Sequence, residues 1–222
     1  MEIDIRGNRF VLLAEKAICW VEKSTLLISD LHLGKITHFR KEGIAVPNGA
    51  VANNFQRLDR LIDDANPKRI IFLGDLFHNQ FNAEWDLFAA WREQHHYIKM
   101  IMVMGNHDIL PLSLFLENDI EVYENEYVED DFVFCHYPKD EPPQHQFIFA
   151  GHVHPVFQLA GRGRQYFKLP CFLVDANQAI LPSFGVFTGG FQVGLVPGRK
   201  IYVLAQSTVF QVPSLKVAGI DS

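Results

Sequence analysis

Several ways for a protein to work are poorly served by this sequence. Cysteine is scarce. Cys19, Cys135 and Cys171 are odd in number and none sits in a Cys-x-x-Cys pair, so they read as reduced thiols in a cytoplasmic protein rather than a disulfide framework. Long apolar runs are missing as well; stretches such as 100–104 have the length of a strand and fall far short of a membrane span. The first residues carry Glu2 and Asp4 where a secretory leader would carry bases, and no apolar segment follows. The expectation is a cytoplasmic chain with no membrane contact. Positive charge is short too: 20 Lys and Arg stand against 26 Asp and Glu, a net charge of −6. That balance argues against holding DNA or RNA by bulk attraction. It leaves open an enzyme that meets phosphate through bound metal, because the cations would concentrate positive charge in one cleft.

The 222 residues are 48% hydrophobic and 21% charged, ordinary globular usage that excludes disordered and fibrous classes and fits one domain over 1–222. A pattern recurs along the first two thirds of the chain. Short apolar runs at 25–30, 69–75, 98–106, 131–136 and 146–152 end abruptly in Asp, Asn or His. Their length and their β-branched and aromatic content predict buried strands. Helices are expected between them: Val51, Phe55, Leu58, Leu61, Ile62 and Ala65 fall on one face, and Trp85, Phe88, Ala89 and Arg92 on another, with Asn82 as a cap. A shorter helix is expected from Pro111. Beyond residue 160, strands are expected at 165–174, 178–181, 186–193 and 201–212. Strand–helix alternation followed by strands predicts an α/β protein with two sheets packed face to face and helices outside. In open α/β sheets, ligands collect beyond the carboxyl ends of the strands.

The chemistry-bearing residues lie at those ends. They are Asp30 and His32; Asp75 and His78 after Gly74; Asn106, His107 and Asp108 after Gly105; His136; and His152 and His154 after Gly151. Six of the ten histidines fall in these five places. Mixed carboxylate, imidazole and amide oxygen suit borderline divalent ions such as Mn2+, Fe2+ or Zn2+. Seven good ligands exceed the needs of one ion and match two ions that share a carboxylate, the arrangement that clamps an in-line phosphoryl displacement.

The ordered set Asp30-x-His32, Gly74-Asp75, Gly105-Asn106-His107-Asp108, His136 and Gly151-His152-x-His154 resembles the signature of calcineurin-like metallophosphoesterases. The resemblance implies a four-layer α/β/β/α sandwich of two mixed sheets flanked by helices. It implies two divalent metal ions, Mn2+ first and Fe2+, Zn2+ or Mg2+ as alternatives. Asp30, His32, Asp75 and His154 would hold the first, Asp75 would bridge, and Asn106, His136 and His152 would complete the second. A metal-bridging hydroxide would attack phosphorus. His107 would face the scissile phosphate as general acid or charge stabiliser, with Asp108 orienting its ring, and His78 matches a histidine found in nuclease members.

A narrower resemblance extends over nearly the whole chain, on residues 30–35, Gly43 and Pro47, 151–155, 169–172 and 181–190. These are similar to the bacterial ligase-associated branch, described as DNA damage response endonucleases. It implies a phosphodiester substrate, DNA first, and a DNA ligase and a helicase as repair partners. The apolar strands after residue 165 fit either a homo-oligomer contact or a buried sheet, equally well. The alternatives are a small-molecule nucleotide phosphodiesterase or pyrophosphatase, and a non-catalytic scaffold. Outside the signature, His38 lies in a basic stretch, and Arg162 and Arg164 are placed to meet phosphate or simply solvent. His95, His96 and His145 read as surface or helix-end residues. Phe172, Phe184, Phe187 and Phe191 read as core, with a base-stacking platform as the alternative.

Overall fold

The computed structural model describes residues 1–43, 45, 50–78, 83–161, 165–186 and 188–213. The chain begins with a meander of β1 (Glu2–Ile5), β2 (Asn8–Leu12), β3 (Ala17–Trp20) and β4 (Thr25–Ile28). Helices α1 (Lys35–Lys41) and α2 (Ala50–Ala65) follow, then β5 (Arg69–Leu73), α3 (Ala83–Gln94), β6 (Lys99–Val103), α4 (Leu112–Glu117) and β7 (Ile120–Tyr123). These seven strands form one sheet in the order β1 to β7, antiparallel through β4 and parallel from β4 to β7.

The rest of the described chain is β structure: β8 (Glu126–Glu129), β9 (Phe132–Cys135), β10 (Phe147–Ala150), β11 (Pro155–Ala160), β12 (Tyr166–Val174), β13 (Gln178–Ile180), β14 (Phe191–Val193), β15 (Lys200–Ala205) and β16 (Thr208–Gln211). They make a second mixed sheet in the order β14-β11-β12-β13-β10-β9-β8, with β15 on β12 and β16 on β15. The α/β class and the two mixed sheets with flanking helices are as the sequence predicts. Two late strands differ from expectation. Among the described residues of 186–193 the strand is confined to Phe191–Val193, and 201–212 splits into the β15–β16 hairpin. Asn82, Arg162, Arg164 and Phe187, singled out in the sequence, lie outside the described residues.

Alternation along the central strands explains why they read as unbroken apolar runs: both faces are buried. Leu26, Ile28, Ile70, Phe72, Met100 and Met102 face Leu58, Leu61, Ile62, Trp85, Phe88 and Phe115 of α2, α3 and α4. Leu27, Ile71, Leu73, Ile101 and Val103 turn the other way, toward Phe132, Phe134, Phe147 and Phe149 of the second sheet. The outer face of that sheet carries two smaller clusters, one of them Val133, Cys135, Ile148 and Ala150. Cys135 is therefore buried on the outer side of its sheet. Among the described residues there are four helices, all before β7, and those in contact with the core lie on the first sheet. Phe172 and Phe184 are core residues, whereas Phe191 is 66% exposed.

Candidate metal centre

Two loops leave the first sheet side by side. After β4 and β5 end, the N–H of Asp30 donates to Gly74 O (3.1 Å), that of His32 to Asp75 O (2.9 Å) and that of Leu33 to Leu76 O (2.9 Å). The parallel pairing thus runs on past both strands and sets Asp30 and His32 against Asp75 and His78. The loop after β6 is tied across them, with the His107 N–H on Asp75 Oδ1 at 2.9 Å. From the second sheet, His136 follows β9, and His152 and His154 follow β10. The His152 N–H reaches both oxygens of Asp30, at 3.2 and 3.0 Å.

These turns are tight. Asp30, His32, Asp75, His152 and His154 have φ of 52°, 49°, 50°, 67° and 50°. That left-handed region costs a non-glycine residue about 1–2 kcal/mol, and such strain gathers at functional sites. Gly74 (φ 78°) has no room for a side chain, since a Cβ there would lie 2.5 Å from His136 Cγ. At Gly105 a Cβ would fall 2.5 Å from the Asp75 backbone nitrogen and onto its carboxylate.

The result is a convergence of potential ligand atoms. Those of Asp30, His32 and His154 lie within 4.8 Å of one another, as do those of Asp30, Asp75 and His136. Distance alone makes Asp30 common to both groups; the hydrogen bonds point to Asp75 instead. Asp30 approaches His136 only at Nδ1, 3.9 Å away, and that nitrogen donates to Leu73 O at 3.1 Å. The His136 lone pair is therefore on Nε2, with this tautomer assigned from its partner. Nε2 faces Asp75 Oδ2 at 3.6 Å, and the same oxygen stands 3.6 Å from His32 Nε2. Asp75 thus sits midway between the two halves of the site.

The donor set fits cations. His154 gives its Nδ1 hydrogen to Thr188 O (3.3 Å), which leaves the Nε2 lone pair 3.1 Å from Asp30 Oδ1. His136 Nε2 likewise stands 3.1 Å from Asn106 Oδ1 and 3.1 Å from His152 Nδ1. Lone pairs facing each other at these separations repel unless positive charge lies between them. Burial pushes the His32 imidazole down to about 2, with the Lys35 charge adding to the effect. His78 goes down to about 4 for the same two reasons, and burial lowers His152. The rings are neutral at physiological pH, the state in which imidazole binds metal. His32 Nδ1 and His78 Nδ1 are buried with no hydrogen-bond partner among the described residues.

Beside the ligands, His107 packs its ring 4.7 Å from that of His78 and 5.3 Å from that of His32. His38 of α1 reaches the same wall, 5.7 Å from His78. Asp108 differs from expectation. Its oxygens accept the backbone N–H groups of Phe77 (2.9 Å) and Gly105 (2.8 Å), and it makes no bond to the His107 ring. Burial pushes its carboxyl up to about 7 against the pull of those N–H groups. Its geometry is that of a staple between the loops after β5 and β6. His95 bonds Asp59 Oδ1 at 3.1 Å, away from the site, and His145 is exposed.

Four further residues support the site without having been assigned to it in the sequence. Tyr137 donates its hydroxyl to Asn106 Oδ1 (3.2 Å) and packs its ring 4.6 Å from that of His152. Glu84 of α3 accepts the N–H groups of Gly34 (2.7 Å) and Thr37 (3.2 Å), which holds the start of α1 against the site. Thr188 O and Leu73 O fix two ring tautomers. Tyr137, next to His136, had a signal in the sequence, an aromatic hydroxyl at a strand end, and Thr188 lies in the 181–190 stretch of the narrower resemblance.

Comparison with known proteins gives a consistent picture. Residues 23–167 match the family model described as calcineurin-like phosphoesterase. The Pseudomonas putida nuclease MPE has a crystal structure similar to this one, with a TM-score of 0.79, 34% identity, and coverage of 96% of this chain and 99% of that one. A more distant likeness is to Yfce, a phosphoesterase from E. coli, at 15% identity and a TM-score of 0.45 over 85% of this chain and 97% of that one. No curated protein matches significantly.

Proposed function

The chain belongs to the calcineurin-like phosphoesterase family and is a metal-dependent phosphoesterase; from that premise we propose that it hydrolyses phosphodiester bonds, DNA first among its substrates, at a site for two divalent ions. The observation that carries the reading is the placement of Asp75 Oδ2, 3.6 Å from the Nε2 atoms of both His32 and His136. Asp30, His32, Asp75 and His154 form one ligand set; Asp75, Asn106, His136 and His152 form the other. Mn2+ is the first choice for both, with Fe2+, Zn2+ or Mg2+ as alternatives. Bound there, such ions supply Lewis-acid charge toward the phosphoryl oxygens and activate water.

The chain's own groups do the rest. Thr188 O and Leu73 O hold the hydrogens of His154 and His136, so both rings present lone pairs inward. The backbone N–H of His107 fixes the Asp75 carboxylate through Oδ1 and leaves Oδ2 for the ligand role. Beside the ligands, the partly exposed ring of His107 is placed to hold charge on the phosphate and to give a proton to the leaving oxygen, with His78 as its neighbour. Asp108 acts at one remove, by holding the two loops together. Support for a nucleic-acid substrate comes from the Pseudomonas putida protein, a nuclease. A single domain over 1–222, a cytoplasmic setting in DNA repair and ligase and helicase partners belong to the same reading.

The test is Mn2+-dependent cleavage of end-labelled single- and double-stranded DNA by the wild type and by His107→Ala, with an aryl phosphodiester as control. Cleavage by wild type and its loss in the variant support the proposal. Intact DNA beside a hydrolysed control moves the substrate to small phosphodiesters. No hydrolysis of either overturns the reading.

A further inference from the structure

Away from the metal centre, a pocket of about 400 Å³ opens between the β2–β3 turn, α2 and the 183–186 segment. Three cations line it: Lys16, Arg57 and Arg60. Two carboxylates line it as well, Glu15 and Asp64, but neither forms an ion pair with the cations within 4 Å. The pocket therefore holds one more cation than carboxylate, and its cations form no ion pair within 4 Å among the described residues, although Glu15 attracts Arg57 at longer range.

Arg57 is fixed in place. Its guanidinium donates to Phe184 O (2.7 Å) and Glu15 O (2.9 Å) and lies 4.0 Å from the centre of the Phe184 ring. Two of its five N–H donors are named by those bonds, which leaves a rigid fork with donors to spare. Lys16 is the more telling residue. It has φ of 69° in a tight turn, a conformation that Gly or Asn adopts more easily. It is also partly buried beside Arg57, and burial and that neighbouring charge push its ammonium down to about 8. A neutral, left-handed-tolerant residue would avoid both costs at this position. The lysine instead adds a positive charge that no ion pair among the described residues meets. The pocket also shares a segment with the metal centre: Val186 lines it, and the Gly185 N–H and Ser183 hydroxyl both bond Asp30 O.

We propose that this pocket is a binding site for a phosphate-class oxyanion, held between the Lys16 ammonium and the Arg57 and Arg60 guanidinium groups. Planar guanidinium forks and a point-charge ammonium together match phosphate oxygens, either in pairs or singly. The anion has two possible sources: free phosphate, or an internucleotide phosphate of a bound strand. The second source rests on the nuclease reading above; the first does not.

The experiment is amide NMR on the full chain as purified, titrated with inorganic phosphate at constant ionic strength, with chloride as the control. Saturable shifts are expected at Glu15, Lys16, Arg57 and Val186. Lys16→Asn, chosen because Asn tolerates the left-handed turn, should weaken the dissociation constant at least tenfold, and Arg60→Gln, at an exposed position, should weaken it as well. Both variants should keep the hydrolysis of an aryl phosphodiester. Shifts confined to residues around Asp30, Asp75 and His152 would overturn the proposal, as would equal responses in wild type and Lys16→Asn, or an equal response to chloride. A second titration uses a single-stranded deoxyoligonucleotide in chelator. Pocket shifts at a lower concentration than phosphate needs identify a strand phosphate; shifts with phosphate alone identify a free anion. Failure to cleave DNA in the earlier assay would remove the nuclease reading and leave the phosphate titration standing.

Discussion

Asp108→Asn separates a staple from a positioning residue. The carboxylate of Asp108 accepts one backbone N–H with each oxygen, from Phe77 at 2.9 Å and from Gly105 at 2.8 Å, at a site only 2% exposed. The amide of Asn keeps one acceptor and turns its NH2 toward the other N–H, so one bond is lost and a buried donor faces a donor. Leaving a buried donor without its acceptor costs about 1–3 kcal/mol, and more where the lost acceptor is charged. The expected loss of stability is about 2–4 kcal/mol. With a urea slope near 2 kcal/mol/M, that is a midpoint shift of about 1–2 M. Asp108→Ala, which orphans both donors, should cost more. The assay is urea unfolding followed by circular dichroism, in chelator so that metal affinity does not enter, with turnover of an aryl phosphodiester measured on the folded variant. If Asp108 worked by orienting the His107 ring, stability would stay within about 0.5 kcal/mol of wild type while turnover fell. That result would refute the staple.

Three other outcomes are expected. Gly74→Ala combines a left-handed backbone with overlap on the His136 ring, at about 1–2 and about 1–3 kcal/mol; thermal unfolding should show the loss, and metal affinity should fall with it. Tyr137→Phe removes the donor to Asn106 Oδ1 and should weaken binding of metal about tenfold with little change in thermal stability, measured by metal titration. Burial pushes the Cys135 and Cys171 thiols up to about 12 and raises Cys19 as well. Thiolate is then rare below pH 9, and a thiol reagent at pH 8 should label all three fast only after unfolding.

The candidate ligands were legible because strand ends are where a buried apolar run meets abrupt polarity, and the central strands are buried on both faces. Edge elements were harder to read. Glu2–Ile5, Asn8–Leu12, Ile120–Tyr123 and Glu126–Glu129 each bury two residues at most, the others being half-exposed or exposed, and so lack an unbroken apolar run. Helix α1 has seven residues and a Gly34 N-cap without a side-chain bond. Glu84, which takes up its first N–H groups, lies 50 residues further along, beyond the reach of local pattern. Spacing placed Asp108 next to His107 but could not say whether its oxygens face a ring or a backbone. A distance of one residue along a turn fixes neither direction nor partner.

Metal stoichiometry tests the central claim most directly. Crystals grown with Mn2+ and measured by anomalous scattering should show two peaks in each chain. One belongs among Asp30, His32, Asp75 and His154, the other among Asp75, Asn106, His136 and His152, with the Asp75 carboxylate between them. Asp75→Asn, measured the same way, should lose or weaken both. A single peak, or two peaks joined through Asp30 rather than Asp75, would contradict the account.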